Sequence, residues 1–244
     1  METCRICTES TAAKLPVAAA PTRTYWLCRS CEAVYVSPDE HLSSSEEAKF
    51  YGLHENSPSD PRYRNYLNPI MKLAWEACAA STRARAEKLI FGDKNVSSPC
   101  ALDFGSGPLK PDEESVVCEF FRDKGFVSDA YDPYFRPMDI SKCRYDVIVA
   151  CEVFEHFRSP SEEIERLVGL LRDGGVLAIQ TEFFPGIGKF DSWYYRRDPT
   201  HVVFYSPRTF EVLAKRFGLS APEFYDGKRV LFRKACQEIS NPVS

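Results

Sequence analysis

From residue 100 onward, short apolar runs alternate with longer stretches in which apolar positions recur every three or four residues. Continuous runs of four to eight residues read as buried strands, and the wider spacing reads as amphipathic helix. The pattern predicts strands over Ala101–Phe104, Val127–Tyr131, Tyr145–Ala150 and Val176–Thr181. It predicts helices over Glu113–Lys124, closed by Gly125, over Ser161–Leu171, opened by a capping box after Pro160, and over Pro207–Phe217, ended by Gly218. Arg172-Asp173-Gly174-Gly175 reads as the stop of the second of these helices, and Phe224-Tyr225 with Arg229–Phe232 as a closing antiparallel pair. Strands alternating with helices predict a Rossmann-like α/β fold, a mostly parallel sheet with helices on both faces.

Upstream the pattern is looser. Tyr25-Trp26-Leu27 and Glu32–Val36 alternate like short strands, and Ser43-Ser44-Ser45-Glu46-Glu47 reads as a capped helix start. Ile70, Leu73, Ala74, Ala77, Cys78 and Ala84 keep an apolar stripe that predicts one helix from Pro69 to Phe91, followed by a turn over Asp93–Pro99. The segments divide the chain into a module over 1–36, a linker with helices over 37–92, and the main domain over 93–244.

The ten cysteines change the reading of the first module. Cys4, Cys7, Cys28 and Cys31 form C-x2-C-x20-C-x2-C, two knuckles able to present four thiolates to one tetrahedral ion, and thiolate sets of this kind suit Zn²⁺. The expectation is a small zinc ribbon with a structural metal, since four thiolates leave no open coordination position. So short a module has too little core to fold on apolar burial alone. The other six cysteines are scattered through apolar or helical pattern and read as reduced thiols.

A net charge of −4 without a block of basic residues argues against broad electrostatic binding of nucleic acid. Lys14, Arg23 and Arg29 on the first module keep a local RNA or protein contact open. No apolar run approaches the roughly 18 residues of a membrane span, and Met1-Glu2-Thr3-Cys4 does not resemble a secretory leader. These features predict a cytoplasmic protein without a membrane partner.

The candidate chemistry lies at the strand ends. Asp103-Phe104-Gly105-Ser106-Gly107-Pro108 ends one strand in an acid and two glycines, so that backbone can pass close under a ligand. Asp132 ends the next strand, at the distance downstream where an acid meets a ribose diol in nucleoside-binding sheets. Cys151-Glu152-Val153-Phe154-Glu155-His156 follows the third. All three converge on one crevice. Gly107 is followed by Pro108-Leu109-Lys110 rather than completing G-x-G-x-x-G, which argues against a dinucleotide.

In these segments the chain resembles the class I S-adenosylmethionine-dependent methyltransferases (type 11/12-like). Asp103–Pro108 is similar to their first motif, Asp132 to their ribose acid, Tyr145–Phe157 to their fourth-strand motif, and Leu171–Leu177 to the motif before their fifth strand. A narrower resemblance is to small methyltransferases with an N-terminal zinc ribbon, through His54-Glu55-Asn56-Ser57, Asp60-Pro61-Arg62-Tyr63-Arg64 and Asp198-Pro199-Thr200-His201-Val202. Ribbon and domain together also resemble the front part of sugar C-methyltransferases. The chain departs from the family at Leu109, where another glycine commonly stands; a leucine there predicts a crowded or outward-pushed loop.

The resemblance implies an enzyme that uses S-adenosylmethionine to methylate a small-molecule or sugar-like acceptor. It implies cofactor contacts from Asp103, Gly105, Ser106, Gly107, Asp132, Pro133, Tyr134 and Glu152, with Asp139 and Ile140 as candidates at the adenine edge. His156 is the candidate general base, because its pKa lies near operating pH. His201 stands in the aromatic, charged stretch Trp193–His201, where such domains cover the acceptor. Tyr63, Arg64 and Tyr66 are candidates for a lid, whereas His41 and His54 read as structural or surface histidines. Two other readings remain at this point: an RNA or protein methyltransferase that docks through the ribbon, and a scaffold that keeps the fold without catalysis.

Overall fold

A computed structural model of the chain describes residues 2–53, 57–93, 95–110 and 112–236. Three short strands come first: β1 (Ala12–Leu15), β2 (Tyr25–Cys28) and β3 (Val34–Val36). Three helices follow, α1 (Ser44–Tyr51), α2 (Pro61–Ala77) and α3 (Ala80–Ile90). The main domain then runs β4 (Cys100–Phe104), α4 (Val116–Asp123), β5 (Val127–Tyr131), β6 (Tyr145–Cys151), α5 (Pro160–Leu170), β7 (Leu171–Gln180), α6 (Ile187–Phe190), β8 (Val203–Phe204), α7 (Pro207–Phe217), β9 (Glu223–Tyr225) and β10 (Arg229–Arg233).

The main sheet has the order β5-β4-β6-β7-β10-β9. Its first four strands are parallel and the last two antiparallel. This is the Rossmann-like arrangement the alternation predicted. Period two sorts its side chains to two faces. Ala101, Val147, Val149, Val176, Ala178 and Leu231 pack with α2, α3 and α4. Leu102, Ile148, Ala150, Leu177, Ile179 and Phe232 pack with α5, α7 and the first three strands.

Several boundaries differ from the pattern reading. The stretch predicted as one helix from Pro69 to Phe91 is two helices, and the first starts eight residues earlier. Asp60 caps it by accepting from the Arg62 N–H, with Pro61 in the first turn where its missing N–H is harmless. Pro69 lies inside this helix, and Cys78 breaks it by turning to an extended ψ of 141°. The capping box expected at Ser161 does not form: Pro160 opens α5, and Ser159 flanks it without a side-chain cap. Arg172–Gly175 is not a loop but the first part of β7, joined across a register shift to β6. Between Asp132 and Tyr145, among the described residues, a single bridge links Asp132 to Arg136. The Ser43/Glu46 capping box of α1 forms, as does the left-handed Gly218 end of α7.

The N-terminal strands do not stand apart from the rest. β8 adds to them to give a second sheet, β1-β2-β3-β8, with Val34 opposite Phe204 and Tyr35 opposite Val203. A strand of the main domain thus completes the sheet that carries the cysteine knuckles.

Candidate functional site

The loop after β4 turns through two glycines in the left-handed region, Gly105 at φ +83° and Gly107 at φ +69°. A Cβ on Gly105 would overlap the Val153 side chain, whereas Gly107 faces open space. The Gly105 and Ser106 N–H groups donate to the Tyr131 carbonyl at 2.8 and 3.1 Å, tying the loop to the end of β5. Asp132 closes it from the other side. Its Oδ2 accepts from the Gly107 N–H at 3.1 Å, and its Oδ1 from the N–H groups of Tyr134 and Phe135 at 2.8 and 3.0 Å.

Asp103 lies behind this loop. It accepts from the Ser115 hydroxyl, which also caps α4 through the Val117 and Cys118 N–H groups. Burial pushes the Asp103 carboxyl up to about 6, despite the Ser115 bond that favours its ionised form. Its role here is to couple the glycine loop to the start of α4.

A cavity of about 960 Å³ opens above the parallel strands' carboxyl ends. Gly105, Ser106, Gly107, Asp132, Pro133, Tyr134, Glu152, His156 and His201 all line it. Asp103 does not, and neither does Leu109, so the leucine does not crowd the cavity. Asp139 and Ile140 are also outside it: Asp139 bonds Ser141, and Ile140 is buried in the core. Of the lid candidates, Tyr63 and Tyr66 lie one helical turn apart and both reach the cavity. Arg64 points round the helix to Glu119, at 2.5 Å. His41 bonds the Val36 carbonyl at 3.2 Å and is structural. His54, Glu55 and Asn56 lie outside the described residues.

The Ser106 hydroxyl is buried without a hydrogen-bond partner. An orphaned hydroxyl between two positive-φ glycines, beside the Asp132 carboxylate, is what a polar ligand with hydroxyl groups would satisfy. These residues fit a nucleoside-bearing cofactor.

The cavity also reaches the turn that carries His156 and the loop that carries His201. Glu152, itself at φ +53°, accepts from the Tyr66 hydroxyl at 2.5 Å and the Tyr195 hydroxyl at 2.7 Å. The same Tyr195 oxygen lies 2.6 Å from Glu155 Oε1. Glu155 is fully buried; desolvation first, and repulsion from Glu152 second, raise its pKa well above the ordinary carboxylate range. His156 Nδ1 lies 3.0 Å from the Thr200 carbonyl and His201 Nδ1 lies 2.8 Å from the Tyr195 carbonyl. A carbonyl only accepts, so both rings carry their proton on Nδ1 and leave Nε2 bare. Burial lowers the pKa of both; that of His201 falls to about 3, with His156 adding repulsion. The ring centroids are 4.9 Å apart. Two neutral imidazoles therefore meet at one corner with their lone pairs available.

Sequence reasoning missed the cover over this corner. Glu47, Phe50 and Tyr51 of α1 line the cavity. Glu47 is held by the Tyr134 hydroxyl at 2.5 Å and by Arg158 at 3.0 Å. The capped start of α1 was visible in the sequence; that its far end would fold over residues a hundred positions downstream had no local signal.

The four cysteines come together. Cys4 and Cys31 sulfurs are 3.6 Å apart, and those of Cys7 and Cys28 are 3.5 Å apart. The edge of a ZnS₄ tetrahedron built on 2.3 Å bonds is about 3.8 Å. The Ile6 N–H and the Thr11 hydroxyl point at Cys4 and Cys28 sulfurs, at 3.4 and 3.2 Å. Donor set and spacing fit a structural metal. This sheet is fastened to the His201 loop by two arginines in exchange. Arg23 donates to the carbonyls of Arg196, Asp198, Pro199 and His201. The fully buried Arg196 donates back to those of Ala19 and Pro21.

Residues 77–221, more than half of the chain, match a family described as a methyltransferase domain. No curated protein matches at a significant level. Among solved structures the chain is similar to the CurJ carbon methyltransferase, at 15% identity over 64% of this chain and 54% of that one, with a TM-score of 0.38. It is similar to human N-acetylserotonin methyltransferase in complex with S-adenosylmethionine, at 11% identity over 80% and 57%, with a TM-score of 0.47. The N-methyltransferase NodS from Bradyrhizobium japonicum, in complex with S-adenosyl-L-homocysteine, is similar at 13% identity over 78% and 97%, with a TM-score of 0.43. The chain spans little more than half the length of the first two.

Proposed function

This chain belongs to the methyltransferase-domain family, and we propose that it moves a methyl group from S-adenosylmethionine to a small-molecule acceptor. The observation that carries the reading is the glycine loop, whose orphaned Ser106 hydroxyl lines the same cavity as the Asp132 carboxylate and the two histidines. In this reading Gly105, Ser106 and Gly107 pass under the cofactor and Asp132 receives its ribose hydroxyls, with Pro133 and Tyr134 beside the base. Glu152, fixed by two tyrosine hydroxyls, lies between cofactor and acceptor. Asp103 acts one step back, by bracing the loop.

The bound cofactor supplies the electrophilic methyl group, and the protein supplies alignment and handling of the acceptor's proton. We assign the acceptor's reacting atom to the corner between His156 and His201, with the unprotonated Nε2 of His156 as the candidate base. At about 960 Å³ the cavity matches the upper range of small-molecule sites, with room for cofactor and a modest acceptor together. Zn²⁺ in the Cys4/Cys7/Cys28/Cys31 group is proposed as structural. The ribbon's basic residue Arg23 is spent on the His201 loop, which favours a bracing role over RNA or protein docking.

The test is calorimetric titration of zinc-replete protein with S-adenosylmethionine and with S-adenosylhomocysteine. The expected result is micromolar binding that Asp132→Ala abolishes in a folded protein. Absence of binding up to millimolar cofactor would overturn the proposal.

A further inference from the structure

We propose that Glu155, His156 and His201 form a second metal site, for a divalent transition-metal ion, at the acceptor end of the cavity. One ligand atom from each of the three lies within 4.8 Å of the others. Glu155 Oε1 lies 3.8 Å from His156 Nε2, within reach of rotamer adjustment around an ion with ligand bonds of about 2.0–2.2 Å.

Three features set this group apart from chance proximity. Each imidazole has its Nδ1–H fastened to a backbone carbonyl, Thr200 for His156 and Tyr195 for His201. A metal-ligating histidine is oriented in this way, by giving its second N–H to an outer acceptor. Glu155 is fully buried, and its Oε2 has no hydrogen-bond partner. An acid placed there without a cation leaves that oxygen unsatisfied. Finally, Asp198 Oδ2 lies 3.8 Å from His201 Nε2, while its Oδ1 is bonded by the Thr200 N–H and hydroxyl. This free oxygen is placed to serve as an outer acceptor or an additional ligand. His156 and His201 both line the cavity, so an ion held between them would be reachable from it.

Two imidazoles and one carboxylate suit Zn²⁺, Fe²⁺, Co²⁺ or Mn²⁺ over Mg²⁺ and Ca²⁺, which take oxygen ligands. The ion would take a hydroxyl oxygen of the acceptor at an open position and lower its pKa, the proton leaving to water in the cavity. The basic character of the histidine corner would then be exerted through the cation. This catalytic use rests on the methyl-transfer reading above; the binding of the ion does not.

The experiment measures metal without cofactor. Full-length protein is equilibrated with excess Zn²⁺, freed of loose ion by gel filtration, and its metal content measured by mass spectrometry. A parallel Co²⁺ titration is followed by absorption, because thiolate ligands give intense charge-transfer bands and an imidazole–carboxylate site gives only weak ligand-field bands. Two zinc ions per chain are expected, falling to one in His156→Gln, His201→Gln and Glu155→Gln. The Co²⁺ thiolate bands should be unchanged in these variants. One zinc per chain in the wild type, or a second zinc that survives all three substitutions, would overturn the proposal. Unchanged thiolate bands in a variant show that it has folded, and the cofactor titration fails or succeeds separately.

Discussion

Replacing Gly105 with alanine tests the site at its tightest point. Gly105 sits at φ +83°, where an L side chain costs about 1–2 kcal/mol. The new Cβ would also overlap Val153, lying 3.3 Å from Cγ1 and closer still to Cγ2. Overpacking of this kind costs about 1–3 kcal/mol. Together they predict a loss of roughly 2–5 kcal/mol, a large share of the roughly 5–15 kcal/mol that hold a domain. Val153 cannot retreat freely: it is the first flank of the turn Phe154–His156, and Glu152 before it is already in a left-handed conformation. The strain therefore passes into Glu152 and His156, and cofactor affinity should fall along with stability.

The two contributions separate in a double-mutant cycle. Val153→Ala removes both γ-methyls, so it relieves the overlap in Gly105→Ala but leaves the backbone term. Urea unfolding of the wild type, both single variants and the double variant should give a favourable coupling of about 1–3 kcal/mol. Calorimetry with S-adenosylmethionine should show affinity partly restored in the double variant. A coupling within about 0.5 kcal/mol of zero, or a Gly105→Ala protein as stable as the wild type, would refute the contact as the reason for glycine.

Four further outcomes follow from the same geometry. Asp132→Asn puts an amide N–H against one of three backbone donors and should cost about 1–3 kcal/mol, with at least about tenfold weaker cofactor binding by calorimetry. Asp103 titrates near 6 when folded against about 3.9 when unfolded, so the folded state holds the proton more tightly. Its contribution to stability is present below about pH 4, falls by roughly 3 kcal/mol as pH rises to about 6, and is flat above; urea unfolding of Asp103→Asn against wild type across that window should show the slope removed. Arg23→Lys cannot span four carbonyls with one ammonium and should cost about 1–3 kcal/mol, while faster amide exchange over residues 196–201 reports the loosened loop. Stripping the proposed ribbon zinc with a chelator should lower the melting temperature and change the fluorescence of Trp193, which packs on Phe204 of the shared sheet; an unchanged Trp193 would disconnect ribbon from loop.

The main sheet was legible in the sequence because its central strands carry continuous apolar runs, Val147–Cys151 and Val176–Ile179, and turn residues punctuate the segments around them. Val127–Tyr131 and Pro207–Phe217 have the predicted bounds because Gly125 and Asp132-Pro133 bracket the strand, and Pro207 and Gly218 the helix. The reading failed where two signals competed. The apolar stripe points to Pro69 as a helix start, yet Asp60-Pro61 offers a cap and a first-turn proline together, and the helix begins there. Gly174-Gly175 looked like a loop, but Gly175 is needed where its backbone passes close to the Tyr145 carbonyl inside the β6–β7 ladder. β1 and β8 are too short and carry too little pattern to be read alone. At the site, residues on one strand end were visible as motifs. The burial of Glu155, the fixed tautomers of the histidines and the cover by α1 depend on long-range packing and carry no local signature.

That packing also gives the ribbon a physical task. The backbone of β3 continues past Val36, whose N–H donates to the Val202 carbonyl at 2.8 Å; the Val202 N–H in turn donates to the Glu155 carbonyl at 2.8 Å. Two consecutive backbone bonds thus link the cysteine-bearing sheet to the turn that carries His156. The exchanged arginines fix the loop that carries His201 from the same side. A loop of this length with so many rings and charges would otherwise sample many arrangements, at about 1–2 kcal/mol of lost entropy for each residue it orders. Fastening it to a sheet that four cysteines can staple moves that cost from ligand binding to folding. On this argument the cysteine-bearing sheet is part of the proposed acceptor site rather than an appendage.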